Sequence, residues 1–225
     1  MAIRAEALFV HDPNGRIRRI NEPDPPAAPH FFLGRTRDGH IWRCRYDLPD
    51  TLAARLAELA AAEPVNAALP GEALNFEAFQ AVLQAQAELQ EVWQGPAYCF
   101  PDPIERPAKV VMITAANAEL LRFGFADLIP QVELRGPCAV VVAQGSAVSI
   151  CFSARLSAQA AEAGVETLAE FRGRGYASVV VAAWATAIRQ RGRLPLYSTS
   201  WDNLASQGVA RRLGLRLYGV DLSFS

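Results

Sequence analysis

Residues 161–191 hold the clearest alternation of apolar and polar positions. Tyr176, Val179, Val180, Ala183, Trp184, Ala187 and Ile188 recur at helical spacing and predict one continuous apolar face. The β-branched run Val179-Val180-Val181 needs tertiary packing to stay helical. Arg189, Arg191, Gly192 and Pro195 mark the stop. Val165–Leu168 before this helix and Leu196–Ser200 after it read as strands. Asp202–Ser206 opens another helix, which closes at Leu213-Gly214-Leu215. Upstream, Cys138–Ala143 and Ala147–Ala154 are β-branched runs joined by Gln144-Gly145-Ser146. They form a hairpin that continues into Val165–Leu168 as an antiparallel meander. Val110–Thr114 is strand-like, and Asn117 begins a short helix through Leu120, Leu121 and Phe123.

The first half has its own pattern. Residues 1–30, with Asp12-Pro13-Asn14-Gly15 and the prolines between Pro23 and Pro29, read as turns and extended linker without a core signal. Phe31–Arg37 and His40–Tyr46 form a hairpin, and Asp38-Gly39 suits a type I′ turn. Asp50 caps a helix carrying Leu52, Leu56, Leu59 and Ala60, which stops at Glu63-Pro64. Asn75 caps another, carrying Phe76, Phe79, Val82, Leu83, Leu89 and Trp93 as far as Gly95-Pro96. The proline-rich stretch Phe100–Pro107 then divides the chain into portions 1–107 and 108–225.

Composition narrows the function classes. With 225 residues, 51% hydrophobic and 20% charged, the chain has a globular profile and enough length for a substantial core. A net charge of −1 gives no nucleic-acid footprint. The arginines at 16, 18, 19, 35, 37, 43 and 45 read as a solvated or salt-bridged face. Cys44, Cys99, Cys138 and Cys151 show no metal or disulfide spacing, so no metal is expected, and Cys138 and Cys151 belong to the core. Met1–Val10 lacks a signal-peptide core, and no stretch of about 18 apolar residues spans a membrane. A cytoplasmic setting is expected.

The chemistry concentrates at Arg172-Gly173-Arg174-Gly175-Tyr176-Ala177, where a strand turns through glycines into a helix. A helix start offers N–H groups without intrahelical acceptors and the positive end of a dipole. Glycine lets an anion approach the backbone closely. No Gly-Lys-Ser/Thr follows, which excludes a P-loop. A third glycine and a ribose-binding acid about 20 residues on are both missing, which excludes the dinucleotide fingerprint. Arg172, Gly175 and Ala177 do spell Arg/Gln-x-x-Gly-x-Gly/Ala. In order with the helix, the following strand, Asn203, Ser206 and Leu213-Gly214-Leu215, this motif makes roughly Val110–Ser225 resemble the GNAT superfamily, the acyl-CoA-dependent N-acyltransferases. The Trp201/Asn203/Ser206 region is most similar to a bacterial branch that includes antibiotic self-resistance acetyltransferases.

The resemblance implies an α+β chain of the α/β/α GNAT type. Its mixed, mostly antiparallel sheet would have splayed central strands, with an accessory α+β portion over 1–107 and an acyl-CoA-binding core over 108–225. The implied reaction moves an acetyl or other short acyl group from acyl-CoA, acetyl-CoA by default, to an amine by direct attack. Arg172, Gly173, Arg174, Gly175, Tyr176 and Ala177 would hold the pyrophosphate. Main-chain groups of Val165 and Thr167 would hold the pantetheine and polarise the thioester, with Asn203 and Ser206 as further contacts. The amine acceptor, whether small molecule, antibiotic or protein, stays open, as does homodimerisation through a sheet edge.

Deprotonating the amine calls for a base, and Glu162 and Glu166 qualify. In an extended strand both lie on one face with Gly164 between them. The structural alternative pairs Glu166 with Arg155 or Arg174. Many family members carry a Tyr at the position occupied here by Ala210, so no phenol stands there to protonate the thiolate; Tyr197, Tyr218 and Ser206 are candidate substitutes. That departure keeps two alternatives open: a non-catalytic acyl-CoA sensor, and a structural or interaction module.

Overall fold

A computed structural model describes residues 1–65, 69, 71, 73–86, 88–104 and 109–225. In chain order the elements are α1 (Ala2–Leu8), β1 (Phe9–His11), β2 (Ile17–Ile20), β3 (Phe31–Thr36), β4 (Gly39–Cys44), α2 (Asp50–Ala61), α3 (Phe76–Gln84), β5 (Val92–Cys99), β6 (Val111–Ile113), β7 (Cys138–Ala143), β8 (Ser146–Leu156), β9 (Ala160–Thr167), α4 (Tyr176–Gln190), β10 (Leu194–Ser198), α5 (Leu204–Arg212) and β11 (Arg216–Phe224). Short 3-10 helices lie at Ala115–Leu121, Ala126–Gln131 and Ala169–Phe171. The class is α+β with mostly antiparallel pairing, as expected. The chain divides into two compact units. One comprises Met1–Tyr98, Ser198–Asn203 and Leu217–Ser225; the other comprises Cys99–Tyr197 and Leu204–Arg216. The expected boundary at residue 107 lies outside the described residues.

The first unit is built on strands in the order β4-β3-β11-β5. β3 reads FFLGRT, an apolar run buried on both faces rather than on one. Phe31 and Leu33 pack with Leu222 and Phe224 of β11 against Leu56 and Ala60 of α2 and Phe79 and Leu83 of α3. The Phe31 and Phe79 rings lie 5.1 Å apart. Phe32 joins Ala5, Leu8, Phe9, Ile17 and Ile20 in a separate cluster. Residues 1–30 are therefore not a bare linker. Their apolar positions are too sparse for a periodic signal, yet they form a helix and a hairpin once β3 supplies a surface.

Buried ion pairs orient these layers. Arg4 of α1 meets Asp221 of β11 at 2.5 and 2.6 Å, with both side chains at most 2% exposed. Arg35 stands 3.6 Å from Glu63. The Glu63 carboxylate accepts N–H groups from Leu74 (3.1 Å) and Asn75 (2.7 Å) at the start of α3. Glu63 thus fixes the chain that enters α3, while Asn75 does not do the capping expected of it: its side chain donates to the Leu59 carbonyl, and α3 has no side-chain cap. Asp50 is not a cap either; it is the first residue of α2 and accepts from Arg16 at 2.6 Å.

Three local expectations shift. The β3–β4 loop is Arg37-Asp38, and neither residue has positive φ, so it is not type I′. The Thr36 hydroxyl organises it by accepting the Asp38 N–H and donating to the Gly39 carbonyl. Helix α3 ends at Gln84, and Trp93 lies in β5, where Val92 and Trp93 suit a strand. The short helix starts at Ala115, before Asn117, because Thr114 and Asn117 form a reciprocal capping box.

The second unit orders its strands β10-β9-β8-β7-β6. The β7–β8 turn, Gln144-Gly145, has φ of 53° and 79°, the two left-handed residues that a type I′ turn requires. Helix α4 buries Ser178, Val180, Val181, Ala182, Trp184, Ala185 and Ile188. Its buried surface is wider than the expected stripe, and Tyr176, Val179, Ala183 and Ala187 are only half-buried. Trp184 donates to the Ser153 hydroxyl of β8 at 3.2 Å, and both are buried. Ile150 packs with Leu121, Phe125 and Val132 of the 3-10 segments and the residues after them.

Replacing Asp221 with Ala would leave the Arg4 cation buried without its partner, at a cost of about 3–5 kcal/mol. A denaturation midpoint should fall sharply for Asp221→Ala and hardly move for Asp50→Ala, whose carboxylate is 96% exposed. A pH effect follows from His11 and His30, both held below the usual imidazole value chiefly by burial. The unfolded chain takes up protons near pH 6.5 that the folded chain refuses until lower pH. Stability is therefore complete above about pH 6.5 and falls as pH drops through that value toward the depressed folded values. Thermal midpoints measured on both sides of that pH should be lower on the acid side, and replacing His30 with Asn should reduce the difference.

Candidate active site

β9 sets the geometry. The Leu168 N–H donates to the Val148 carbonyl at 3.0 Å. By strand alternation, Glu166 and Gly164 turn their main-chain groups toward β8, while Val165 and Thr167 turn theirs away. On that far side, β10 pairs in parallel at Leu194↔Ala160, Pro195↔Ala161 and Leu196↔Glu162. Past Glu162 this pairing stops, whereas β8 pairs with β9 as far as Thr167. This is the expected splay of the central strands. The open edge carries the main chain of Val165 and the Thr167 N–H. The Thr167 carbonyl is engaged by Arg172 Nε at 3.1 Å.

The glycine loop follows directly. Gly173 and Gly175 have φ of 75° and 81°, a region that β-carbons disfavour. Gly175 is the N-cap of α4, which has no side-chain cap. The first helical bond runs from the Val179 N–H to the Gly175 carbonyl at 3.3 Å. The N–H groups of Tyr176, Ala177 and Ser178 therefore lack intrahelical acceptors at the positive end of a 15-residue helix. Arg174 folds back on the loop: it donates to the Glu170 carbonyl at 3.1 Å and lies 5.2 Å over the Phe171 ring.

The two carboxylates lie on one face of β9 but in different surroundings. Glu162 is 3% exposed, at the last pair before the splay, opposite Arg155 in register. A bulge at Ala154 gives β8 one extra residue between Ser153 and Arg155. Glu166 is exposed, and its carboxylate makes no ion pair among the described residues. Between them, Gly164 leaves room for the Phe152 ring, which a β-carbon would meet at 2.7 Å. Phe152, 5.3 Å beneath the Arg135 guanidinium, thus separates two groups that spacing alone put side by side.

The remaining candidates are spread more widely. The Ser206 hydroxyl is bonded to the Tyr197 hydroxyl at 2.7 Å, and the Tyr197 O–H also reaches the Ser206 carbonyl at 3.3 Å. Tyr197 is buried, so this pair anchors α5 to β10. Asn203 is exposed and belongs to the first unit, as does Tyr218, whereas the other candidates lie in the second. Ala210 is buried at 1% exposure. Burial pushes the Cys44 and Cys138 thiols up to about 11 and Cys151 well above its ordinary value, so none is a ready nucleophile. No metal-ligating cluster and no helix long and apolar enough to cross a membrane occur among the described residues. A cleft of about 530 Å³ lies in the first unit, lined by Arg16, His40, Trp42 and Arg43 among others, and contains none of the candidates. The open backbone of β9 and the start of α4 belong to the second unit.

A family model described as GNAT acetyltransferase matches residues 131–219, the span that holds the splayed strand, the glycine loop, α4 and α5. The match covers less than half of the chain and makes residues 131–219 similar to that family. Acyl transfer is the general chemistry of that family. Among solved structures, a GNAT-family protein from Novosphingobium aromaticivorans is 17% identical, with a TM-score of 0.49 over 61% of this chain and 66% of that one. A GCN5-related N-acetyltransferase-like protein from Streptococcus suis is 18% identical, with a TM-score of 0.49 over 90% and 86%. A Drosophila protein is 14% identical, with a TM-score of 0.53 over 85% and 72%, and shares the fold. No curated protein matched the chain. Within that span, sequence reasoning missed Phe152, which was hidden because its role depends on the absent side chain of Gly164 opposite.

Proposed function

We propose that the protein transfers an acetyl or other short acyl group from acyl-CoA to an amine. The observation that carries this reading is the uncapped N-terminus of α4, set behind two left-handed glycines and next to the unpaired edge of β9. The loop from Arg172 to Ala177 would cradle the pyrophosphate. The main chain of Val165 and the Thr167 N–H would bond the pantetheine amides and the thioester oxygen. A fixed N–H aimed at the developing oxyanion is worth about 3 kcal/mol. Ser206 is a further pantetheine contact in this reading, although it is also tied to Tyr197; Asn203 belongs to the other unit and is left out of it.

In the reaction, the amine nitrogen attacks the thioester carbon, the C–S bond breaks, and the thiolate leaves. An alkyl amine resembles Lys, with a pKa of about 10.4, and arrives protonated. Glu166, open and unpaired, can attract the cation and pass its proton to water. Glu162, buried where the strands part, is the other candidate for the same role. A CoA thiolate, with a pKa near 8.5 by analogy with Cys, accepts a proton from water, so the missing phenol at Ala210 does not block turnover. The second reading is an acyl-CoA sensor without turnover, and the buried Ala210 is the residue that favours it.

Calorimetric titration with CoA and acetyl-CoA separates these readings. The expected result is binding by the wild type and its loss in Gly175→Trp, a substitution strained by the positive φ. An amine screen should then show turnover, with Glu162→Gln or Glu166→Gln slower by about 10²–10⁴-fold for the true base. Binding without turnover on any amine would favour the sensor. No binding near about 1 mM, a free energy of only about −4 kcal/mol, would reduce the loop to a structural turn.

A further inference from the structure

Trp184 of α4 bonds Ser153 of β8, and Ser153 stands opposite Ala163 of β9, so α4 covers the face that carries Ala163, Val165 and Thr167. Glu162, Gly164 and Glu166 belong to the other face. Ile150 is buried there under the 3-10 segments, and the cover thins at Phe152, which is half-buried. Its ring lies over Gly164, in space that a β-carbon would need, and the Arg135 guanidinium lies 5.3 Å above the ring. Arg135 is held in place. The Ser153 N–H donates to its carbonyl at 2.8 Å, its Nε donates to the Gln131 side chain, and its Nη1 reaches the Ala154 carbonyl at 3.4 Å. Among the described residues it meets no carboxylate, and its Nη2 has no partner. Further along the face, Arg155 and Glu162 stand opposite each other in register, so their charges offset. The exposed Glu166 and the Arg135 guanidinium remain, one charge of each sign.

We infer that this face selects an amine acceptor that also carries a carboxylate, with Glu166 holding the ammonium end and Arg135 the acid end. This rests on the acyl-CoA reading of β9, because an acceptor attacking a thioester at the open edge comes from the face that α4 leaves bare. A guanidinium fixed on an aromatic ring, with one nitrogen still open, suits a carboxylate. Gly164 and Glu166 are about 7 Å apart along the strand, so the two ends of the acceptor are separated by several bonds, and the chain between them lies on Phe152. A plain alkyl amine leaves Arg135 without a partner, and a diamine brings a second cation against it. In the transfer the C–N bond forms, the C–S bond breaks, and the nitrogen's proton passes by way of Glu166 to water. The amide product keeps only its acid end, so Glu166 no longer attracts it and release is favoured.

Steady-state acetyl transfer by the full chain tests this with three amines of matched length, δ-aminovalerate, pentylamine and cadaverine, on wild type, Arg135→Gln, Arg135→Lys and Arg135→Glu. The expected result is a wild-type kcat/KM highest for δ-aminovalerate. Its preference over pentylamine should fall about tenfold or more in Arg135→Gln, chiefly through KM. Arg135→Lys should keep part of the preference, and Arg135→Glu should reverse it in favour of cadaverine. An arginine that only supports the fold would slow all three amines alike and lower the melting temperature, leaving their ratios as in wild type. That result would overturn the acceptor assignment, as would a wild type that prefers cadaverine or treats the three amines alike; in each case acyl transfer itself stands. A wild type that binds acetyl-CoA yet acylates none of the three overturns the assignment and turnover together.

Discussion

The site depends on one unequal pairing. β9 is held by β8 to its end but by β10 for only three residues, so the strand keeps its shape while its far edge opens. An unpaired edge is costly inside a protein unless something polar replaces the lost strand. Here the edge leads within a few residues into Gly173, Gly175 and an uncapped helix, another set of unpartnered donors. Two sets of open backbone groups in sequence match a long ligand with amides at one end and phosphates at the other. The side chains tune this arrangement: Phe152 keeps the two carboxylates apart, and Arg172 takes up the Thr167 carbonyl.

The parts legible in the sequence were those whose signal is local. Helix α4, the β7–β8 hairpin and the glycine loop appear where periodicity, β-branched runs and glycine spacing put them. So do α2 and α3 of the first unit, though α3 is shorter than its apolar pattern suggested. Features depending on distant partners were not legible. The entry to α3 is held by Glu63, 12 residues from Asn75 in sequence, and the residues before Phe31 gain their core only against β3. The two-residue loop at Arg37-Asp38 shows the same limit. Asp-Gly favours a type I′ turn, but the register of β3 with β4 moved the turn back by one residue.

Within the candidate site, the sequence marked the loop and both glutamates but not their inequality. Period-two alternation puts Glu162 and Glu166 on one face whatever surrounds them. That one is buried opposite Arg155 and the other exposed depends on a bulge at Ala154, which no pattern in β8 announces. Ser206 behaves similarly. Its place in the motif implied a ligand contact, while its partner in the structure is the Tyr197 hydroxyl, so an interaction with pantetheine must share or displace that bond.

The central claim is that the open backbone of β9 and the start of α4 form one binding surface for acyl-CoA. Hydrogen exchange of the full chain with and without CoA addresses it at the level of single amides. Slowed exchange at Val165, Thr167, Tyr176, Ala177 and Ser178 together on adding CoA is the result this account predicts. Unchanged exchange at those amides, with protection confined to the cleft around His40 and Trp42 or absent everywhere, would contradict it.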